Sequence, residues 1–149
     1  MIVTFCGHSK SYIKEEEKLR ILEILENEHA DEITFYLGGY GAFDSTALEC
    51  SKTYKKAHPN SKLVLITPYP HSKNLEYAND IFDEVVYPEL EHVPPKFAIL
   101  KRNEWMMKNA NLVIAYVWHD YGGAYQALKA ALRYQKRIIN IADTKKRSL

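Results

Sequence analysis

The chain has 149 residues, 46% of them hydrophobic and 26% charged, and its 20 Lys and Arg against 19 Asp and Glu leave a formal net charge of +1. These values fit one globular domain over residues 1–149 with a sizeable core, and the balanced charge argues against a nucleic-acid footprint. No stretch nears the ~20 apolar residues of a membrane span, no basic start leads into an apolar signal segment, and Cys6 and Cys50 form no disulfide framework, so a cytoplasmic protein is expected.

The elements follow in chain order. An apolar, β-branched run at 2–6 reads as a strand buried on both faces. Ser11 is placed to cap a helix in which Leu19, Ile21, Leu22, Ile24 and Leu25 form an apolar stripe. A second strand at 33–37 stops at Gly38-Gly39, and a helix over 43–57 follows, with Ala47, Cys50, Tyr54 and Ala57 on one face and His58-Pro59-Asn60 as its stop. The third strand, at 63–67, runs into Pro68-Tyr69-Pro70. A short helical piece at 75–81 and a brief strand at 85–87 come next. Pro94-Pro95 opens a helix over 96–109, and 112–117 is a strong strand. Gly122-Gly123 precedes a last helix with Ala124, Ala127, Leu128, Ala131 and Leu132 inward, and a final strand occupies 137–141. Lys145-Lys146-Arg147 reads as a solvated basic tail.

Strands alternating with helices of this length predict an α/β fold, a mostly parallel sheet with helices on both faces. Ligands of such sheets bind beyond the carboxyl ends of the strands. The unusual residues follow those ends: Gly7-His8-Ser9, Gly38-Gly39-Tyr40-Gly41, Thr67-Pro68, and Trp118-His119-Asp120-Tyr121-Gly122-Gly123.

Several of these residues carry two readings. The turn Gly38, Gly39, Gly41 before a helix with Asp44 fits phosphate held by helix amides; the other reading is a tight turn with Asp44 as N-cap, and the two are compatible. It matches the dinucleotide fingerprint only in its G-x-G and follows the second strand, where the fingerprint belongs to the first. Gly122 and Gly123 repeat the choice between ligand contact and flexible turn. Asn103 sits at the centre of an apolar arc made by Ile99, Leu100, Met106, Met107 and Ala110, so its amide ties a backbone or faces the ligand. Arg102 lies at the rim of that arc, facing an anion beyond the sheet or facing solvent. His119-Asp120 is an acid/base element or a surface loop, and Tyr40, Tyr69, Tyr116, Tyr121 and Tyr125 are rings near the ligand edge. His8, His71, His92 and His119 lack the spacing of a zinc site, and no metal or cofactor is expected. No nucleophile elbow, G-x-S-x-G, surrounds Ser9.

The glycine turn with Asp44, the helix carrying Arg102-Asn103 and Met107 before Ala110-Asn111 and the strand at 112–117, and Gly122-Gly123-Ala124 opening the last helix together resemble the SLOG superfamily of Smf/DprA and LOG proteins. In size the chain is similar to its small bacterial members. The resemblance implies a Rossmann-like three-layer sandwich that binds a nucleotide or nucleotide-derived small molecule, and a homodimer. It makes Gly7, His8, Ser9, Gly38, Gly39, Gly41, Asp44, Thr67, Arg102, Asn103, Gly122, Gly123 and Tyr125 candidate ligand contacts. LOG proteins cleave the N-glycosidic bond of nucleoside 5′-monophosphates with an arginine and the glutamate of P-G-G-x-G-T-x-x-E. Arg102 matches the arginine; no acid follows Gly122-Gly123, and Ser45 stands where the other glycine turn would need one. Asp44 or Glu49 would have to substitute, so the catalytic candidates are Arg102 and Asp44 and the expectation is binding rather than cleavage. The DprA branch would imply nucleic-acid binding, against which the net charge speaks.

Overall fold

The computed structural model describes residues 1–70 and 75–142, and of 75–77 the backbone only. His71 and the run Lys145-Lys146-Arg147 lie outside the described residues. The elements are β1 (Ile2–Gly7), α1 (Glu15–Asn27), β2 (Thr34–Leu37), α2 (Gly41–Ala57), β3 (Lys62–Ile66), α3 (Leu75–Ile81), β4 (Glu84–Val86), a 3-10 turn (Pro95–Phe97), α4 (Ala98–Asn109), β5 (Leu112–Tyr116), α5 (Gly123–Arg133) and β6 (Arg137–Asn140). The strands form one sheet in the order β4-β3-β2-β1-β5-β6. All its pairings are parallel, with Val3 opposite both Phe35 and Leu112.

Alternation along each strand builds two cores. Val3, Phe5, Phe35, Leu37, Leu112, Ile114 and Tyr116 face α1 and α2, against Ile21, Leu25, Phe43, Ala47 and Tyr54. Cys6, Val64, Ile66, Val113, Ala115 and Val117 face α4 and α5, against Met106, Met107, Ala127, Ala130 and Ala131. The result is an α/β three-layer sandwich of Rossmann-like form. The chain runs outward from β1 through β2 and β3 to β4, then returns to place β5 on the other side of β1. The strand order thus switches direction between β1 and β5, where a crevice opens at the carboxyl edge.

Three local expectations need correction. Ser11 does not cap α1; its Oγ donates to the His8 carbonyl at 2.7 Å. Lys14 is the N-cap of α1, and its N–H donates to Glu17 Oε1 at 3.1 Å. Asp44 is not the N-cap of α2 but lies in its first turn; its Oδ2 accepts the N–H of Tyr40, the actual N-cap, at 2.8 Å. Leu19 and Leu132, read as inward, are exposed, while Ala130 is buried. Small alanines bring α5 close to the sheet, and the bulkier Leu132 falls on its outer flank. Among the described residues no helix is long and apolar enough to cross a membrane.

Candidate functional site

A cavity of about 630 Å³ opens at the switch point between β1 and β5. The loop after β1 contributes Gly7, His8, Ser9 and Lys10, and α2 with its cap contributes Tyr40 and Asp44. From α4 come Ile99, Arg102, Asn103, Met106 and Met107, while the β5–α5 loop adds Trp118, His119, Tyr121, Gly122 and Gly123. Of the residues singled out from sequence, Gly7, His8, Ser9, Asp44, Arg102, Asn103, Gly122 and Gly123 come together here. Gly38, Gly39, Gly41, Thr67 and Tyr125 do not line the cavity. Lys10 was missed, although a basic residue directly after Gly7-His8-Ser9 was its signal. His119, left open between an acid/base element and a surface loop, and Tyr121, read as a ring near the ligand edge, both line the cavity.

The two glycine turns differ in what their backbones already hold. After β2, the Ala42 N–H donates to the Ser9 carbonyl at 2.9 Å and the Tyr40 N–H to Asp44. Gly41, at φ +88°, packs so tightly that a Cβ would lie 2.8 Å from the Ser9 backbone. A Cβ on Gly38 would sit 3.0 Å from the Asp44 carboxylate. This turn is spent on joining α2 to the β1 loop. After β5, Gly122 takes φ +90° as N-cap of α5, no side chain caps that helix, and a Cβ on Gly123 would meet nothing within 4 Å. The first-turn amides of a helix have no partner within it, and Gly122, Gly123 and Ala124 at this terminus line the cavity.

Arg102 departs from both sequence readings. It neither faces solvent nor reaches over the rim: it is 1% exposed, and its Nη1 donates to the carbonyls of Gly38 at 2.8 Å and Ile66 at 2.6 Å. These carbonyls lie at the carboxyl ends of β2 and β3, where the ladder has no further amides to offer. Its Nε donates to Asn103 Oδ1 at 2.9 Å, so Asn103 orients the arginine and lines the cavity at once. The guanidinium also lies 5.4 Å from the Tyr40 ring centroid. Burial pushes the Arg102 pKa down, opposed mainly by the charge of Asp44. Ile99 and Leu100, expected in the apolar arc of α4, are partly exposed, Ile99 at the cavity wall.

Asp44 is the one carboxylate among the described lining residues. Burial raises its pKa to about 6, against the lowering effects of the Tyr40 N–H and the Arg102 charge. His8 is buried, and its Nε2 accepts the Trp118 N–H at 3.1 Å, linking the loops of β1 and β5. That bond requires a lone pair on Nε2, so His8 is neutral; burial, with His119 beside it, lowers its pKa to about 4. The Nδ1 of His119 is buried without a hydrogen-bond partner. Thr67 is turned inward, its Oγ1 donating to the Tyr69 carbonyl at 2.9 Å. Tyr125 packs into the α4–α5 core.

No family model and no curated protein matches the sequence. Among solved structures, the chain is similar to DNA processing protein A from Helicobacter pylori, described for its single-stranded DNA binding mode. The TM-score is 0.61 with 18% identity, over 93% of this chain and 63% of that one. It is also similar to DNA processing protein A from Streptococcus pneumoniae, with a TM-score of 0.64 and 15% identity over 91% of this chain and 48% of that one. A third match is the structural-genomics target TM1055, with a TM-score of 0.59 and 15% identity over 92% of this chain and 71% of that one. The chain thus spans less than two thirds of the two DNA processing proteins. At these identities the likeness establishes the fold alone, a Rossmann-like α/β fold shared with DNA processing protein A. It also corrects the expectation that set nucleic acid aside: the Helicobacter pylori protein of this fold binds single-stranded DNA. Net charge was the wrong measure, because a single strand needs only a local groove and ring faces.

Proposed function

We propose that the cavity binds a nucleotide or a nucleotide-derived small molecule, with phosphate at the amino end of α5. The observation that carries this reading is the pairing of an uncapped helix N-terminus, Gly122-Gly123, with a cavity at the sheet's switch point. Helix amides and dipole favour an anion there, and Lys10 and His119 on the same cavity supply further donors. The role is binding rather than cleavage. Cleavage of the LOG type pairs an arginine with a free carboxylate; here the described lining holds Asp44 alone, engaged by the Tyr40 N–H, and Arg102 is taken up by the Gly38 and Ile66 carbonyls. Titration calorimetry with the four common nucleoside 5′-monophosphates tests the reading. At least one binds the wild type, and the Gly123→Val variant, folded, loses it; equal binding by the variant overturns the assignment.

A second reading extends the same site to a nucleotide within a single strand, favoured by the likeness to a single-stranded DNA-binding protein and by the exposed rings of Tyr40 and Tyr121 on the cavity wall. Binding of a fluorescent oligothymidylate that weakens with salt and is displaced by a nucleoside monophosphate supports it; no binding of the oligonucleotide dismisses it. A homodimer, implied by the sequence resemblance, belongs to the same proposal and is checked by sedimentation velocity.

A further inference from the structure

Beside the cavity, three rings stack in a row from the interior to solvent. His8 is buried; the His119 ring lies 3.5 Å from it, centroid to centroid, at an interplanar angle of 17°. The Tyr121 ring lies 3.9 Å from His119 at 16°. Trp118 leans on the first two, at 4.3 Å from His8 and 4.8 Å from His119. The row ends in water: Tyr121 is 67% exposed. Its inner face is covered by imidazole, so the exposure falls on its outer side. The stack is fixed at its root by the Trp118 N–H donating to His8 Nε2. An aromatic ring held in place at a cavity wall, with one face wet, is a preorganised surface for a planar group.

Resting on the nucleotide reading above, we infer that the outer face of Tyr121 is the platform on which the base of the ligand stacks. The base becomes the fourth ring of the row, and the phosphate lies one sugar away at Gly122-Gly123, the residues that follow Tyr121 in the chain. His8 is neutral, so the row does not carry a buried cation at its root. Stacking of this kind tolerates any base, because every base offers a π-face. The platform therefore supplies affinity for the base without choosing among bases. Tyr40 is the other exposed ring on the cavity wall, but one of its faces lies toward the Arg102 guanidinium and it stands beyond β2, away from the glycine pair. It serves as the comparison.

The test is calorimetry of adenosine 5′-monophosphate and of ribose 5-phosphate with the wild type and with Tyr121→Ala, Tyr121→Phe and Tyr40→Ala. Tyr121→Ala weakens the nucleotide by roughly tenfold or more and leaves ribose 5-phosphate within about twofold; Tyr121→Phe keeps both. Unchanged nucleotide affinity in Tyr121→Ala overturns the inference, as does an equal loss for the two probes or a tenfold loss confined to Tyr40→Ala. A wild type that binds ribose 5-phosphate no more weakly than the nucleotide overturns the base platform alone. A wild type that binds another nucleoside 5′-monophosphate but not adenosine 5′-monophosphate overturns the base-indifferent platform alone; one that binds none of the four overturns the nucleotide reading, and the platform with it.

Discussion

The Nη1 of Arg102 lies 2.8 Å from the carbonyl oxygen of Gly38, and the same nitrogen reaches Ile66. One guanidinium on α4 thereby closes the carboxyl ends of two strands that the sheet leaves unpaired. Gly38 permits it, since any side chain there would crowd Asp44 and the Arg102 head. The crevice beyond β2 and β3 is filled from within, and the open space is displaced to β1 and β5.

Arg102 is therefore a structural residue before it is a ligand contact. Arg102→Met removes three charged hydrogen bonds, to the Gly38 and Ile66 carbonyls and to Asn103 Oδ1, costing about 3 kcal/mol. Lysine, with one compact donor group, recovers part of it. Urea denaturation measures the loss, and a midpoint equal to wild type would remove this role.

Two groups on the cavity wall pull stability in opposite directions with pH. His8 titrates at about 4 in the folded protein against 6.5 ordinarily. Between these values the unfolded chain binds more protons, so the His8 contribution is present above pH 6.5 and is lost as the pH falls to 4. Asp44 titrates at about 6 against 3.8. Here the folded chain holds the extra proton, so its contribution is present below pH 3.8 and is lost as the pH rises through 6. Each is on the order of 2 kcal/mol, and they offset one another between pH 4 and 6. Relative to wild type, Asp44→Asn loses stability as the pH falls through this window, and His8→Gln gains it. Denaturant midpoints at intervals of half a pH unit separate the three curves; parallel curves would refute the assignment.

The glycines divide by what stands in front of them. A Cβ on Gly7 would lie 2.3 Å from the Phe43 ring, so Gly7→Ala overpacks the core and costs about 2 kcal/mol. Gly123→Val points into open space and leaves stability within about 0.5 kcal/mol, while abolishing nucleotide binding. Thermal melts alongside calorimetry distinguish the two effects, and a neutral Gly7→Ala would show that the β1 loop yields.

Asp44, the single carboxylate among the described lining residues, predicts the outcome of an activity assay. Nucleoside 5′-monophosphates incubated with the protein keep their bases over hours, as read by chromatography. Free base that disappears in Asp44→Asn would establish an N-glycosidic hydrolase instead.

The strands and helices were legible in the sequence because their signals are local. Apolar runs such as 112–117, stops such as Gly38-Gly39 and Pro94-Pro95, and the alternation of short and long segments dictate a parallel α/β sheet wherever the chain is read. The same signals placed Gly7-His8-Ser9 and Gly122-Gly123 at one edge. They did not reveal that Arg102 is buried or that only the second glycine turn lines the cavity. Each depends on a partner that folding brings in. The Ser9 carbonyl occupies the amide of Ala42, the ends of β2 and β3 occupy Arg102, and His8 holds the loop of Trp118 across the switch point. Sequence periodicity fixes which face of an element is apolar. Which amides remain free for a ligand is decided only when elements distant in the chain have taken the rest.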